Sequence, residues 1–197
     1  MNVVDGPATQ NFSNRMPSEI DLIVIHSMGE RLRWGDSYCT AEEMLTLKAP
    51  PATWTKDWNR VSAHYFIRPN GDIHRVLSPE LKAWHAGVSE WNGQSGLNAN
   101  SIGIELLVPG SHDYASFVNA IQHNWVASEQ YDAVSWLVAQ LMIQYGINLG
   151  DVRGHSEVAG DDVRGAGKGK VDPGGGFNWR RFYGGVGWYL FREPATI

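Results

Sequence analysis

Two stretches far apart in the chain are almost wholly apolar and largely β-branched: Leu22-Ile23-Val24-Ile25 and Ile102-Gly103-Ile104-Glu105-Leu106-Leu107-Val108. Runs this short and this apolar read as strands buried in a sheet. The first stops abruptly at His26 and is followed by Ser27-Met28-Gly29, which predicts a turn and puts His26 at a strand end. The second is broken by a single carboxylate, Glu105, and that exception needs a reason.

Other segments supply the rest of one mixed domain. From Ser128 to Tyr145 the apolar residues Val134, Leu137, Val138, Leu141 and Tyr145 recur at steps of three and four, the period of an amphipathic helix, and Gly146 follows as its stop. Thr40 to Leu47 is predicted helical, with Thr40 and Glu43 forming a capping box and Pro50-Pro51 ending it. Strands over Ser62–Ile67 and Asp72–Leu77 flank Arg68-Pro69-Asn70-Gly71, a hairpin signal. A short strand is expected near Val152-Arg153 and a short helix around Trp179 to Phe182, with a Gly-rich, mobile loop from Gly160 to Gly176 between them. The fold class is therefore α/β (mixed), a single domain with a central mixed β-sheet flanked by helices.

Composition excludes several partners. The 197 residues carry 16 Lys and Arg against 21 Asp and Glu, a formal charge of −5, so the basic footprint of a nucleic-acid or anionic-membrane binder is missing. No stretch reaches the roughly 18 consecutive apolar residues of a membrane span, and Met1 to Asn11 has no export signal. A single cysteine, Cys39, rules out an internal disulfide and a thiolate cluster, so any metal falls to histidine and carboxylate. Gly165 to Lys170 is rich in Gly and Lys but fails the phosphate-loop pattern, since no Gly-Lys-Ser/Thr follows.

Three residues stand out as candidate ligands, His26, His155 and Asp172, because each lies at a strand end or in a loop where a side chain points into a cleft. Without a local signature such as HExxH, a histidine that only hydrogen-bonds in the core fits the same positions. His74, His112 and His123 are assigned no role.

Five motifs sharpen this. VSAHYFIRPNG (Val61–Gly71), AWHAGVS (Ala83–Ser89), SIGIEL (Ser101–Leu106), GHSEV (Gly154–Val158) and KVDPGGGFNW (Lys170–Trp179) occur in one order and spacing. The chain in this respect resembles the zinc-dependent N-acetylmuramoyl-L-alanine amidases of the second amidase family, which share the fold of peptidoglycan recognition proteins and amidase-type phage lysozymes. The resemblance implies a Zn²⁺ held by His26, His155 and Asp172, with Glu105 directed toward the metal's water and Lys170 beside it. It implies hydrolysis of the amide between N-acetylmuramic acid and L-alanine in peptidoglycan or muropeptides. The alternative within the same fold is a non-catalytic peptidoglycan-binding module, though binding-only relatives typically lack a ligand and none is missing here.

The chemistry suits those residue types. Two neutral imidazoles and one carboxylate leave a Zn²⁺ site with net charge +1 and an open fourth position, where water is acidified toward a pKa of about 7. Glu105 then serves as base, and Lys170 as partner of the developing oxyanion. The residues by themselves also permit Glu105 as an ion-pair partner of Arg153 or Arg164, and Lys170 as a solvated lysine.

His64, His85, Trp84 and Asn98 are candidates for touching substrate, and Trp84 and Trp91 for stacking on a sugar or simply packing. Where the phage-lysozyme branch carries a catalytic tyrosine this chain has Ala63, which favours the glutamate version of the mechanism. Where the recycling branch carries an arginine shortly before the position of Asn98, Gln94-Ser95-Gly96-Leu97 has no cation, which implies a different handling of the stem peptide.

The expected boundaries are an N-terminal extension over 1–20, the zinc amidase catalytic domain over 21–183 and a tail over 184–197. The expected partner is peptidoglycan or muropeptide substrate, with no nucleic acid, membrane or protein partner. The expected location is cytoplasmic, or, for a phage endolysin, the cell wall after release by a separate lysis factor.

Overall fold

A computed structural model describes residues 1–6, 8–16, 20–34, 37–46 and 61–192. In chain order the elements are β1 (Val3–Asp5), β2 (Phe12–Asn14), β3 (Leu22–Trp34), β4 (Ser37–Thr40), α1 (Ala41–Thr46), β5 (Tyr65–Ile67), β6 (Ile73–Arg75), β7 (Leu81–Ala83), β8 (Glu90–Trp91) and β9 (Gln94–Ser95). They continue with β10 (Ser101–His112), α2 (Tyr114–Ala120), α3 (Ser128–Tyr145), β11 (Val152–Gly154), α4 (His155–Val158), α5 (Asp161–Arg164) and α6 (Trp179–Leu190).

The central sheet runs β1-β6-β5-β10-β3-β11, with β4 paired to β3. At its middle β3 and β10 are parallel over a long stretch, with Ile23 opposite Ile102 and His26 opposite Glu105. Strand alternation divides their side chains between two faces. Ile23, Ile25, Ile102, Ile104 and Leu106 face a large core closed by Val134, Leu137 and Leu141 of α3 and Phe182 and Val186 of α6. Leu22 and Val24 point the other way, against Ala86, Leu97 and Val158. His26 continues that second face.

Helix α3 spans the predicted residues, and Gly146 ends it in the left-handed conformation at φ 68°. The hairpin forms as expected: β5 and β6 are antiparallel, with Ile67 opposite Ile73. Gly71 at its turn has φ 87°, and a Cβ there would lie 2.9 Å from the Glu129 carbonyl oxygen. The capping box also forms, since the Thr40 N–H donates to Glu43 Oε2 at 2.8 Å and the Glu43 N–H to Thr40 Oγ1 at 3.2 Å. The expected stop at Pro50-Pro51 lies outside the described residues.

Several expectations are corrected. β3 does not end at His26 but runs to Trp34, because strand pairing uses the backbone: Ser27 and Met28 still pair with Leu106 and Leu107, and Arg31 and Leu32 pair with β4. The strand that does end at this level is β11, whose Gly154 pairs with Ile25 just before His155. Residues read as an N-terminal extension build β1 and β2, which pair with β6 and β7.

α6 continues past residue 183 despite its glycines. Gly185 is what lets it approach α3, since a Cβ there would lie 2.5 Å from Ser135 Oγ. The Gly-rich loop is gathered rather than loose: Asp161 accepts from the Gly169 N–H at 2.7 Å and the Gly167 N–H at 3.0 Å. Among the described residues no helix is long and apolar enough to cross a membrane.

Candidate metal centre

Three elements meet where the parallel core of the sheet ends. β3 carries His26, β11 delivers His155 into the first turn of α4, and the later part of the Gly-rich loop brings back Asp172. The Ser156 N–H donates to the Asp172 carbonyl at 2.8 Å and the Lys170 N–H to the Ala159 carbonyl at 2.8 Å, which fastens that segment alongside α4. All three side chains are buried, with His26 1% and Asp172 8% exposed.

One oxygen is shared. Asp172 Oδ2 lies 3.3 Å from His26 Nδ1 and 3.1 Å from His155 Nδ1, and the candidate ligand atoms of the three residues all fall within 4.8 Å of one another. A tetrahedral zinc with bonds of about 2.0–2.1 Å separates its ligand atoms by about 3.3 Å, close to the two distances from Asp172 to the imidazoles.

The charge states fit as well. Burial, reinforced by His155, pushes the His26 imidazole down to about 4 against the pull of Asp172, so the ring is neutral. A buried carboxylate beside a neutral imidazole is the donor chemistry a divalent cation takes.

Next to this triad a pocket of about 200 Å³ opens, lined by His85, Glu105 and Lys170 together with His26, His155 and Asp172. Glu105 Oε2 is buried without a hydrogen-bond partner. Burial first, then the charge of Asp172, raises its carboxyl well above the usual range, with Lys170 opposing. The ion-pair reading of Glu105 finds no support, since Arg153 pairs with Glu157 at 3.3 Å and Arg164 donates to the Val88 and Lys168 carbonyls. Lys170 is exposed at the pocket's edge.

The remaining candidates separate. His85 lines the pocket. His64 does not: it is fully buried, with Nδ1 accepting the Gly103 N–H at 2.9 Å and Nε2 donating to the Leu81 carbonyl at 2.9 Å. Trp84 donates its indole N–H to Ser13 Oγ at 3.1 Å, and Asn98 spends its side-chain oxygen on the backbone of His85 and Ala86. Trp91 lies under the Arg153 guanidinium at 4.2 Å.

Sequence reasoning missed the pocket's apolar wall of Met28, Leu32, Met44 and Phe117, and placed no role on His112, which also lines it. Met28 was within reach, because period-two alternation carries the face of His26 on to it.

Comparison with known proteins gives a consistent result. Residues 16–175 match the N-acetylmuramoyl-L-alanine amidase family. The 1,6-anhydro-N-acetylmuramyl-L-alanine amidase AmpD of Escherichia coli is 34% identical over 123 residues, covering 62% of this chain and 57% of that protein. The matched stretch thus spans little more than half of that relative. AmpD of Haemophilus influenzae is 32% identical over 174 residues, 86% of this chain and 84% of its own. Among solved structures, an AmpD derivative superposes with a TM-score of 0.66 at 24% identity, covering 94% of this chain and 93% of that one. AmpDh3 of Pseudomonas aeruginosa, in complex with anhydromuramic pentapeptide, gives 0.60 at 26% identity, covering 85% of this chain and 60% of that one.

Proposed function

The chain belongs to the N-acetylmuramoyl-L-alanine amidase family, and from that premise we propose that it hydrolyses the amide joining the lactyl group of N-acetylmuramic acid to the L-alanine of a peptidoglycan fragment. The observation that carries this reading is the convergence of His26 Nδ1, His155 Nδ1 and Asp172 Oδ2 beside a pocket that also holds an unpartnered carboxyl and an ammonium. Those three residues are the proposed zinc ligands. Bound there, zinc supplies a Lewis acid that polarises the scissile carbonyl and brings the pKa of water to about 7.

The chain's own groups do the rest. Glu105 Oε2 has no competing partner, so it is free to take a proton from the attacking water. The carboxyl's raised affinity for protons lets it keep that proton until the C–N bond breaks and then pass it to the departing L-alanine nitrogen. One water is consumed, its oxygen ending on the lactyl carboxylate. Lys170 places its ammonium at the pocket's edge, where it meets the negative charge that grows on the carbonyl oxygen. Closing walls of Met28, Leu32 and Phe117 lower the local dielectric and strengthen both interactions.

Incubating the protein with soluble 1,6-anhydro muropeptide and, separately, with purified peptidoglycan, followed by mass spectrometry, tests the proposal. Stem peptide beginning at a free L-alanine amine is the expected product; intact substrate in both digests contradicts the activity.

A further inference from the structure

The hydrogen bonds behind the metal centre have a direction, and it can be followed from one end. The Ser101 hydroxyl has a single proton, committed to the Leu97 carbonyl at 2.5 Å. Its oxygen therefore accepts from His85 Nε2 at 3.1 Å. A neutral imidazole protonated at Nε2 is an acceptor at Nδ1, and His85 Nδ1 stands 2.9 Å from His26 Nε2, which must donate. His26 Nδ1 is then left bare, aimed at Asp172. By a separate route, His155 Nε2 donates to the Ala86 carbonyl at 3.2 Å, so His155 Nδ1 is also bare and also faces Asp172.

Both acceptors come from one dipeptide. His85 and Ala86 are held in place by Asn98, whose Oδ1 accepts the His85 N–H at 3.0 Å and the Ala86 N–H at 2.8 Å. Room for the His85 ring comes from Gly103 on β10, where a Cβ would lie 2.5 Å from His85 Cγ. A network serving folding alone would aim ring protons at the Asp172 carboxylate; this one aims two lone pairs at it. A divalent cation among the three replaces that repulsion with coordination.

We propose that the His85–Ala86 dipeptide, pinned by Asn98, sets the tautomers of His26 and His155 and so builds the affinity of the metal centre. These are positioning residues, acting through the ligands. The inference rests on the reading of His26, His155 and Asp172 as metal ligands. It assigns Asn98 and His85 to metal retention, whatever further contact His85 makes with substrate.

Zinc affinity, measured on the full chain by competition with a chromophoric chelator, tests it without reference to activity. His85→Phe keeps a ring and loses the acceptor, and Asn98→Ala releases the dipeptide; each is expected to weaken zinc binding about 10-fold to 100-fold. His85→Asn puts an oxygen where Nδ1 stood and Asn98→Asp keeps the accepting oxygen, so both are expected to recover most of the affinity. Wild-type affinity in His85→Phe and Asn98→Ala overturns the proposal, as does equal loss in all four variants.

A second readout needs no variant. Long-range proton–nitrogen correlation spectra of the ¹⁵N-labelled wild-type protein report imidazole tautomers, and His26, His85 and His155 are each expected to carry the proton on Nε2. An Nδ1 proton on His26 or His85 overturns the relay. Wild-type protein that takes up no zinc at all brings down the metal centre itself, and that result is distinguishable because it comes before any substitution is made.

Discussion

Glu105 of β10 stands in register with His26 of β3, and both project from the sheet face opposite α3. A parallel strand pair thus fixes the spacing between a proposed base and a proposed ligand through backbone hydrogen bonds, which side-chain substitution leaves intact. Glu105→Gln is accordingly expected to keep the fold and the bound zinc while turnover falls about 10²-fold to 10⁴-fold. Steady-state kinetics with zinc content measured on the same sample checks this; undiminished turnover with zinc retained returns Glu105 to a structural role.

Lys170 sits at the exposed edge of the pocket, where its ammonium serves either the transition state or the resting substrate. If it meets charge only as the carbonyl oxygen becomes anionic, Lys170→Met lowers kcat and kcat/KM together, by about 10²-fold to 10³-fold, with KM and zinc content little changed. A rise in KM with kcat intact would move it to substrate recognition, and no change would make it a solvated lysine.

Much of this site was legible in the sequence. The apolar runs at Leu22–Ile25 and Ile102–Val108 marked the two central strands, and the spacing of Val134, Leu137, Val138 and Leu141 marked α3, because burial of a regular element imprints its period on the chain. The end of the first apolar run brought His26 forward and two of the five motifs His155 and Asp172, and the structure brings those three together. What stayed hidden depends on distant backbone. His64 looked like a pocket residue, yet its ring is consumed by Gly103 and Leu81, 39 and 17 positions away. Asn98 looked like a substrate contact and instead organises the backbone of the dipeptide at 85–86. β1 and the far half of α6 were too short or too glycine-rich to show a period, and their places are set by β6 and α3.

The burial of His64 makes the metal-free protein sensitive to acid. Burial, reinforced by Arg15, pushes its pKa from 6.5 down to about 3. Below 6.5 the unfolded chain therefore binds a proton that the folded chain refuses, so the stability this group contributes is complete above that value and declines as pH falls from 6.5 toward 3. One such group costs about 1.4 kcal/mol per pH unit in that window. Urea unfolding with chelator present, at a series of pH values on both sides of 6.5, should show no loss from this group above 6.5 and a fall of about this slope below it. A flat profile would mean that His64 is charged in the fold.

The central claim is that His26, His155 and Asp172 hold one zinc ion per chain, and elemental analysis of the purified protein tests it most directly. Protein prepared without chelator is expected to contain zinc in equimolar amount, and the double variant His26→Ala, His155→Ala to contain almost none while Cys39, the single thiol, stays in place. Stoichiometric zinc persisting in that double variant would contradict the account.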